Sequence, residues 1–137
     1  MLVVAGAGAL SMLVAVPCTA AEKYPTKPIR IIVPSSPSSG PDIIARLTGG
    51  ELTEAWGQQV IIDNRGGAGG NIGMGMAAHS NPDGYTWLMV SSSFVVNPSL
   101  YSKIPYDPYR DLIPASNLAA SPHAFFLPAS SPVKSTA

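Results

Sequence analysis

Short apolar runs alternate with segments of helical periodicity along most of the chain. Runs rich in β-branched residues predict buried strands at Ile29–Val33 and Val60–Ile62. Two further apolar runs predict strands at Tyr85–Val90 and Ala124–Leu127. Strands that alternate with helices are typical of a parallel sheet with right-handed crossovers. We therefore predict an α/β fold.

The first helix is predicted to begin beside Gly40 and to end at Gly57. Ser39 and Asp42 have the spacing of a capping box, in which a hydroxyl and a carboxylate satisfy free amides at a helix start. A pair of glycines at 49–50 is expected to weaken this helix. Its predicted apolar face consists of Ile43, Ile44, Leu47, Leu52, Ala55 and Trp56.

The remaining elements follow two loops that are rich in small residues. A second helix is predicted from Asn71 to about His79, directly after a glycine-rich loop. The segment Asn81–Gly84 is typical of a turn and separates that helix from the third strand. A short turn or helix is predicted near Pro98–Tyr101.

Residues 1–21 have a different character. Met1–Val16 is apolar and uncharged, and Thr19 and Ala21 occupy the small-residue positions that precede a signal-peptide cleavage site. The alternative, a membrane anchor, needs about 20 apolar residues, which is longer than this run. Cys18 follows a proline, a poor fit to a lipid-attachment site, so we interpret it as a thiol lost with the signal. We predict that the protein is exported and that this segment is cleaved.

The composition argues against several classes of function. The 137 residues suffice for one compact domain, and the chain has 8 basic and 8 acidic side chains. A balanced, sparsely charged chain lacks the clustered cations that nucleic acid or anionic lipid requires. A single cysteine leaves no disulfide or cysteine metal site within the chain. We expect neither a nucleic-acid partner nor a metal.

Candidate chemistry lies in three loops that leave the predicted strands. We name them the first loop (Ser35–Gly40), the second loop (Asn64–Gly70) and the third loop (Ser91–Ser93). Ligands of open α/β sheets bind outside the carboxyl ends of the strands. The first two loops run directly into helix starts, which present N–H donors and the positive end of a dipole. A few charge-assisted bonds of roughly 1.5–3 kcal/mol each would suffice for micromolar binding of a carboxylate.

The second loop has two other interpretations. Gly69, Gly73 and Gly75 form G-x-x-x-G-x-G, one of the dinucleotide fingerprints, so a nucleotide-dependent α/β enzyme that uses Gly66–Gly75 remains an alternative. The fingerprint normally follows the first strand of its domain, whereas here it follows the second, and no lysine completes a phosphate loop. The glycines could also serve only as a turn.

Catalytic chemistry finds little support in the sequence. His79 and His123 stand apart from any cysteine, second histidine or carboxylate cluster, and each is interpreted as a surface or capping residue. The serines lack the spacing of a nucleophile elbow. We therefore predict that the protein is not an enzyme and needs no cofactor.

Two charged residues beside the loops have alternative roles. Asp42 would repel an anion unless it is compensated, so it either caps its own helix or accepts a bond from a water, hydroxyl or amine of the ligand. Arg65 could pair with a ligand, but Asp63 is the favoured partner.

Several ordered motifs resemble those of Bug-type receptors, the extracytoplasmic solute-binding proteins of tripartite tricarboxylate transporters. The opening segments are YPTKPIRIIVP at 24–34 and DIIARL at 42–47. Later segments are DNR at 63–65, GAGGNIG at 67–73, PDGYT at 82–86, NPSLY at 97–101 and PYDP at 105–108. The resemblance covers essentially everything after the predicted signal.

This resemblance implies a two-lobed, periplasmic binding protein-like (type II) α/β fold that closes over a small organic acid. In the family, the loops after the first and second strands grip a ligand carboxylate, partly through ordered waters. The resemblance also implies a monomer that delivers its ligand to a membrane permease. Carried over to this chain, the ligand-binding residues are Pro37, Ser38, Ser39, Gly40, Asp42, Ala68, Gly69, Gly70 and Asn71, with Ser92 as a weaker third-loop candidate.

The sequence departs from the family pattern in both loops. Ser35 stands where the family has an aromatic residue, and Ser38 and Ser39 replace glycines. Serine resists a positive φ, so the amides of the first loop are expected to be presented differently. Gly66 replaces a proline, which is expected to loosen the second loop.

The family pattern also suggests how the chain is divided. Residues 1–21 are expected to be the signal, residues 22–118 part of the first lobe, and residues 119–137 a crossover strand towards a second lobe. A receptor lacking most of that lobe is expected to be poorly stable, and a nonfunctional truncated receptor is a further alternative.

Overall fold

The computed structural model describes residues 23–121, 124 and 126–132. The predicted signal at residues 1–21 and His123 therefore lie outside the described residues. In chain order the elements are β1 (Ile29–Val33), α1 (Gly40–Trp56), β2 (Val60–Asn64), a 3-10 turn (Ala68–Gly70), α2 (Asn71–Ala78), β3 (Thr86–Leu88) and α3 (Ser93–Leu100).

The three strands form one parallel sheet in the order β2-β1-β3. Ile31 at the centre of β1 pairs with Ile62 on one side and Trp87 on the other. The parallel α/β prediction is confirmed. The strand ends differ from the prediction, because β2 continues to Asn64 and β3 is limited to Thr86–Leu88.

Helices cover the sheet in layers. Ile29, Ile31 and Val33 are buried on one face of β1 together with Ala45 of α1. Ile32, which points to the opposite face, is also fully buried, and α2 packs against β1 and β3. The crossover from β1 to β2 and the crossover from β2 to β3 run in opposite directions along the sheet, so with the same hand they place α1 and α2 on opposite faces. Partly buried hydrophobic residues complete the cluster around Ile31: Trp56, Val60, Ile62, Tyr85, Trp87 and Met89.

The predicted apolar face of α1 is partly wrong. Leu47 is 65% exposed and Ile43 is 50% exposed, whereas Ala45 and Gly49 are buried. The reason is a close approach between helix and sheet: a Cβ atom on Gly49 would lie only 3.2 Å from Ile62 Cδ1. Small residues, rather than large apolar ones, therefore define the buried side of this helix. Its predicted end is confirmed, since Gly57 adopts a left-handed conformation with φ of 64°.

The predictions for the elements after β2 are confirmed only in part. The second helix matches its predicted range, ending at Ala78 with His79 as its cap. The helix predicted near Pro98–Tyr101 begins earlier, at Ser93. The strand predicted at Ala124–Leu127 is wrong for its described residues, which lie outside any regular element. A strand needs a paired neighbour, and this segment finds none within the described part of the chain. No described helix has the length and hydropathy to cross a membrane.

Candidate anion-binding site

Three helices start at the edge of the sheet where the strands end. The first loop connects β1 to α1, the second connects β2 to α2, and the third connects β3 to α3. The residues that precede these helices, Ser39, Gly70 and Ser92, make no side-chain cap hydrogen bond. At α2 the Asn71 N–H donates to the Ala68 carbonyl, and at α3 the Phe94 N–H donates to the Ser91 carbonyl. The other first-turn N–H groups have no acceptor within their helix, and together with the positive dipole ends they suit an anion.

The first loop is built differently from the predicted capping box. The Ser39 hydroxyl shares a hydrogen bond of 2.7 Å with the Ser35 hydroxyl, and the Asp42 carboxylate accepts from the Ser38 N–H at 2.8 Å. Ser38 adopts a left-handed conformation with φ of 65°. Ser38 therefore adopts the positive φ that serine resists, and the Asp42 carboxylate holds its amide.

Asp42 is the centre of a charged network beneath the first loop. Its side chain is only 2% exposed and accepts hydrogen bonds from Arg46 Nε at 3.0 Å and Asn64 Nδ2 at 2.9 Å. A second nitrogen of Arg46 donates to Asn64 Oδ1 at 3.0 Å. These contacts, the one with Arg46 above all, lower the pKa of Asp42 to about 2.

The network supports the structural interpretation of Asp42. Oδ2 accepts from Ser38 and Arg46, and Oδ1 accepts from Asn64, so the carboxylate is engaged by groups of the chain itself. The Arg46 guanidinium compensates its charge, which removes the repulsion that an unpaired carboxylate would exert on an anion. A direct contact between Asp42 and a ligand stays a prediction.

The first and second loops lie side by side. Asn64 Nδ2, besides its bond to Asp42, approaches the Ser35 carbonyl oxygen at 3.3 Å. A Cβ atom on Gly70 would lie 3.1 Å from the Pro34 carbonyl oxygen. The starts of α1 and α2 are therefore neighbours, and amides of both can address one ligand.

A buried cluster of neutral polar side chains joins the second loop to α3. Asn97 is 3% exposed, and its Nδ2 donates to the Gly69 carbonyl at 2.9 Å and to Asn71 Oδ1 at 2.8 Å. The Tyr106 hydroxyl also donates to Asn71 Oδ1, at 3.3 Å, and burial raises the pKa of Tyr106. The Asn71 side-chain oxygen is engaged inside the protein, and its backbone N–H donates to the Ala68 carbonyl, so a contact between Asn71 and a ligand stays a prediction.

The glycines of the dinucleotide fingerprint are explained by packing within the chain. A Cβ on Gly69 would meet the Tyr101 hydroxyl, and one on Gly75 would lie 2.7 Å from Pro105 Cγ. A Cβ on Gly73 would lie 2.6 Å from the Arg65 carbonyl oxygen. The chain's own atoms thus occupy the space that each missing side chain leaves, so the spacing needs no bound nucleotide to account for it.

The structure brings most of the predicted site residues to one edge of the sheet. The first group is Pro37, Ser38, Ser39, Gly40 and Asp42, and the second is Ala68, Gly69, Gly70 and Asn71. Ser92 is separate: it opens α3, and within the described residues no hydrogen bond joins it to either of the other two loops.

Sequence reasoning missed the residues that hold the loops in place. Arg46, Asn64, Asn97 and Tyr106 take part in the two networks, yet none was predicted as a ligand-binding residue, although Asn64 opens the second loop. Asn64 carried a usable signal, because Asp63 and Asn64 are the first polar residues after the apolar run Val60–Ile62 and mark the point where the strand leaves the core. Asn97 and Tyr106 were present in recognised motifs, but the motifs alone do not indicate a partner.

Other charged and titratable groups behave as expected. Arg65 Nε donates to Asp63 at 2.8 Å, which confirms the predicted pairing. Arg30 shares the same carboxylate. His79 Nδ1 lies 2.7 Å from the Gly75 carbonyl oxygen, which confirms its capping position. No group of side chains suited to a metal ion is found among the described residues.

Comparison with known proteins identifies the relatives of this chain. The family model described as "Tripartite tricarboxylate transporter family receptor" matches residues 44–137. Protein BugT of Bordetella pertussis is 43% identical over 104 residues, which is 74% of this chain and 32% of BugT. The chain spans about a third of the length of the curated relatives it matches.

Solved structures agree with this assignment. The periplasmic binding protein BugD is 36% identical with a TM-score of 0.61, covering 64% of this chain and 29% of BugD. An R. palustris protein solved with adipate is 34% identical with a TM-score of 0.61, covering 63% and 29% of the two chains. MatC from Rhodopseudomonas palustris with bound malate is 31% identical with a TM-score of 0.59, covering 64% and 30%. The fold is that of periplasmic binding proteins, and the chain belongs to the tripartite tricarboxylate transporter receptor family.

Proposed function

We propose that the first and second loops form the carboxylate-gripping half of an extracytoplasmic receptor for a small organic acid. The receptor captures its ligand in the periplasm, without covalent chemistry, and delivers it to the permease of a tripartite tricarboxylate transporter. Residues 22–118 contribute part of the first lobe, and residues 119–137 lead towards a second.

One observation carries the proposal: two neighbouring helices start without side-chain caps at the same edge of the sheet. Gly70 and Asn71 donate their N–H groups within the second loop, and the first-turn N–H groups that have no acceptor in their helix, together with the dipoles, suit an oxyanion. Among the described residues, Asp42 is the only buried carboxylate beside these helix starts, and Arg46 neutralises its charge. Adipate and malate, the ligands of two solved relatives, are both dicarboxylates, which fits a site that grips one carboxylate in each molecule.

The ligand would be held by donors rather than attacked by a nucleophile. The N–H groups at the start of α1 and α2 would bind the carboxylate oxygens directly or through ordered waters. Ser38, Ser39 and Ser92 would add hydroxyl donors at the rim. Contacts with a second lobe would favour a closed state by binding the ligand more tightly there.

Gly40 offers a sharp test, because proline at this position deletes one N–H donor with little disturbance. Proline is tolerated in the first turn of a helix, a Cβ atom on Gly40 would meet no other atom within 4 Å, and Ser39 already has the extended conformation required before proline. Gly40→Pro should weaken adipate or malate binding about tenfold, as measured by NMR titration. Gly40→Ala, which keeps the N–H, is the matched control and should bind like the wild type.

Other outcomes would separate the alternatives. Equal affinities of the proline and alanine variants would remove the first-loop amide from the site. Absence of carboxylate binding by the wild-type chain would overturn the receptor function for this chain and would support a nonfunctional truncated receptor. Shifts of the second-loop resonances with NAD, but not with either dicarboxylate, would favour the nucleotide-dependent enzyme.

A further inference from the structure

Tyr101 lies against the second loop, directly after α3. A Cβ atom on Gly69 would be 2.5 Å from the Tyr101 hydroxyl oxygen and 3.2 and 3.3 Å from carbons of its ring. Gly69 also has a φ of 66°, which favours glycine independently of the space. The phenol thus covers the second loop at Gly69.

The position of the phenol is fixed by the helix that carries it. Tyr101 N–H donates to the Asn97 carbonyl oxygen at 3.0 Å, and the Asn97 side chain donates to the Gly69 carbonyl at 2.9 Å. One helical turn therefore contacts Gly69 twice, through Asn97 at its carbonyl and through Tyr101 at its Cα. This double contact orients the hydroxyl relative to the loop amides.

The Tyr101 hydroxyl is not used by the described part of the fold. Three other tyrosines direct their hydroxyl groups to partners in the chain: Tyr24 to the Gly84 carbonyl, Tyr85 to Thr26 and Tyr106 to Asn71. Tyr101 makes no such hydrogen bond within the described residues, and it is 39% exposed. Packing over Gly69 requires only the ring, which phenylalanine would supply equally well, so the hydroxyl has no structural task among these residues.

We propose that Tyr101 is a ligand-contacting residue, whose hydroxyl donates a hydrogen bond to the carboxylate oxygen that the second-loop amides bind. This inference rests on the proposed function. A carboxylate oxygen accepts more than one hydrogen bond, so one oxygen can receive both an amide N–H and the phenol O–H. The ring would also limit the access of water to the loop, which strengthens the electrostatic interaction there.

The test compares Tyr101→Phe with Tyr109→Phe in the whole chain. Tyr109 is 93% exposed and serves as the control for loss of a phenol hydroxyl. We expect Tyr101→Phe to weaken adipate and malate binding about tenfold in NMR titration, and Tyr109→Phe to leave it unchanged. Tyr101→Phe should retain the wild-type free energy of unfolding without ligand, because the ring still packs over Gly69.

The possible results are distinguishable. If the wild type binds dicarboxylates and Tyr101→Phe binds them equally well, the role of Tyr101 is overturned while the receptor function stands. If the affinity falls in parallel with a lower free energy of unfolding, the hydroxyl is structural and the inference is also overturned. If the wild type binds neither dicarboxylate, the proposed function fails and the inference fails with it.

Discussion

The first and second loops perform the same local task by different physical means. Both turn the end of a parallel strand into an uncapped helix start. The first loop is held by a charged network, in which Asp42 is paired with Arg46. The second loop is held by neutral side chains, with Asn97 donating to the Gly69 carbonyl and to Asn71.

This difference indicates which conditions weaken each loop. A carboxylate–guanidinium pair depends on ionisation, so the support of the first loop is lost in acid. Amide and phenol hydrogen bonds do not titrate across that range, so the second loop keeps its support, but its buried acceptors are costly to leave unpaired. An ion pair holds the first loop and buried neutral hydrogen bonds hold the second, so substitutions in each network should affect stability differently.

The largest effect is expected from Asn97→Ala, which removes the support of the second loop. The substitution removes the Asn97 donor from the buried Asn71 Oδ1 and from the part-buried Gly69 carbonyl. We expect the free energy of unfolding to fall by about 3 kcal/mol, measured by urea denaturation. Ser99→Ala, at an exposed position on the same helix, should change it little. A loss no larger than that of the control would show that the neutral cluster does not hold the loop.

The next effect is expected from Asp42→Asn, which removes the charge beneath the first loop. The folded-state pKa of Asp42 is lowered from 3.8 to about 2, so its ion pair stabilises the fold above about pH 4, and this contribution is lost as the pH falls towards 2. Asp42→Asn should therefore be less stable than the wild type at pH 7, and the difference should shrink in acid.

The control for this pH dependence lies on the same helix. Glu54→Gln, at an exposed position of α1, should leave the acid-dependent loss of stability unchanged. Asp63 and Asp83 also have lowered pKa values, so the wild-type curve includes their contributions and only the difference between variants reports on Asp42. A constant difference between pH 7 and pH 2 would contradict a charged support for the first loop.

The smallest effect concerns the backbone of the first loop. Ser38 adopts a φ of 65°, a conformation that costs a non-glycine residue about 1 kcal/mol. Ser38→Gly should raise the free energy of unfolding by up to about 1 kcal/mol, because the N–H that donates to Asp42 is kept while the strain is relieved. Ser36→Gly, at an exposed neighbour without positive φ, should lower it slightly. A loss of stability in both variants would mean that Ser38 carries no strain.

The sequence by itself determined the order of the elements and the edge at which they meet. Apolar runs such as Ile29–Val33 located the strands, and the left-handed Gly57 ended the first helix where its residue type predicted. These are local preferences, set by side-chain branching and by backbone sterics within a few residues. Alternation of strand and helix then implied a parallel sheet, and with it three helix starts at one edge.

Only the tertiary structure decided which residues hold that edge together and which face of α1 is buried. Asp42 meets Asn64 across 22 positions, and Asn97 meets Gly69 across 28. Gly49 of α1 faces the sheet because Ile62 and Val60 approach it from a later strand, which displaced Leu47 to the surface. Periodicity describes one element at a time, whereas these contacts arise from the spacing between elements, so the partners of Asp42 and Gly69 became visible only once the strands and helices were packed.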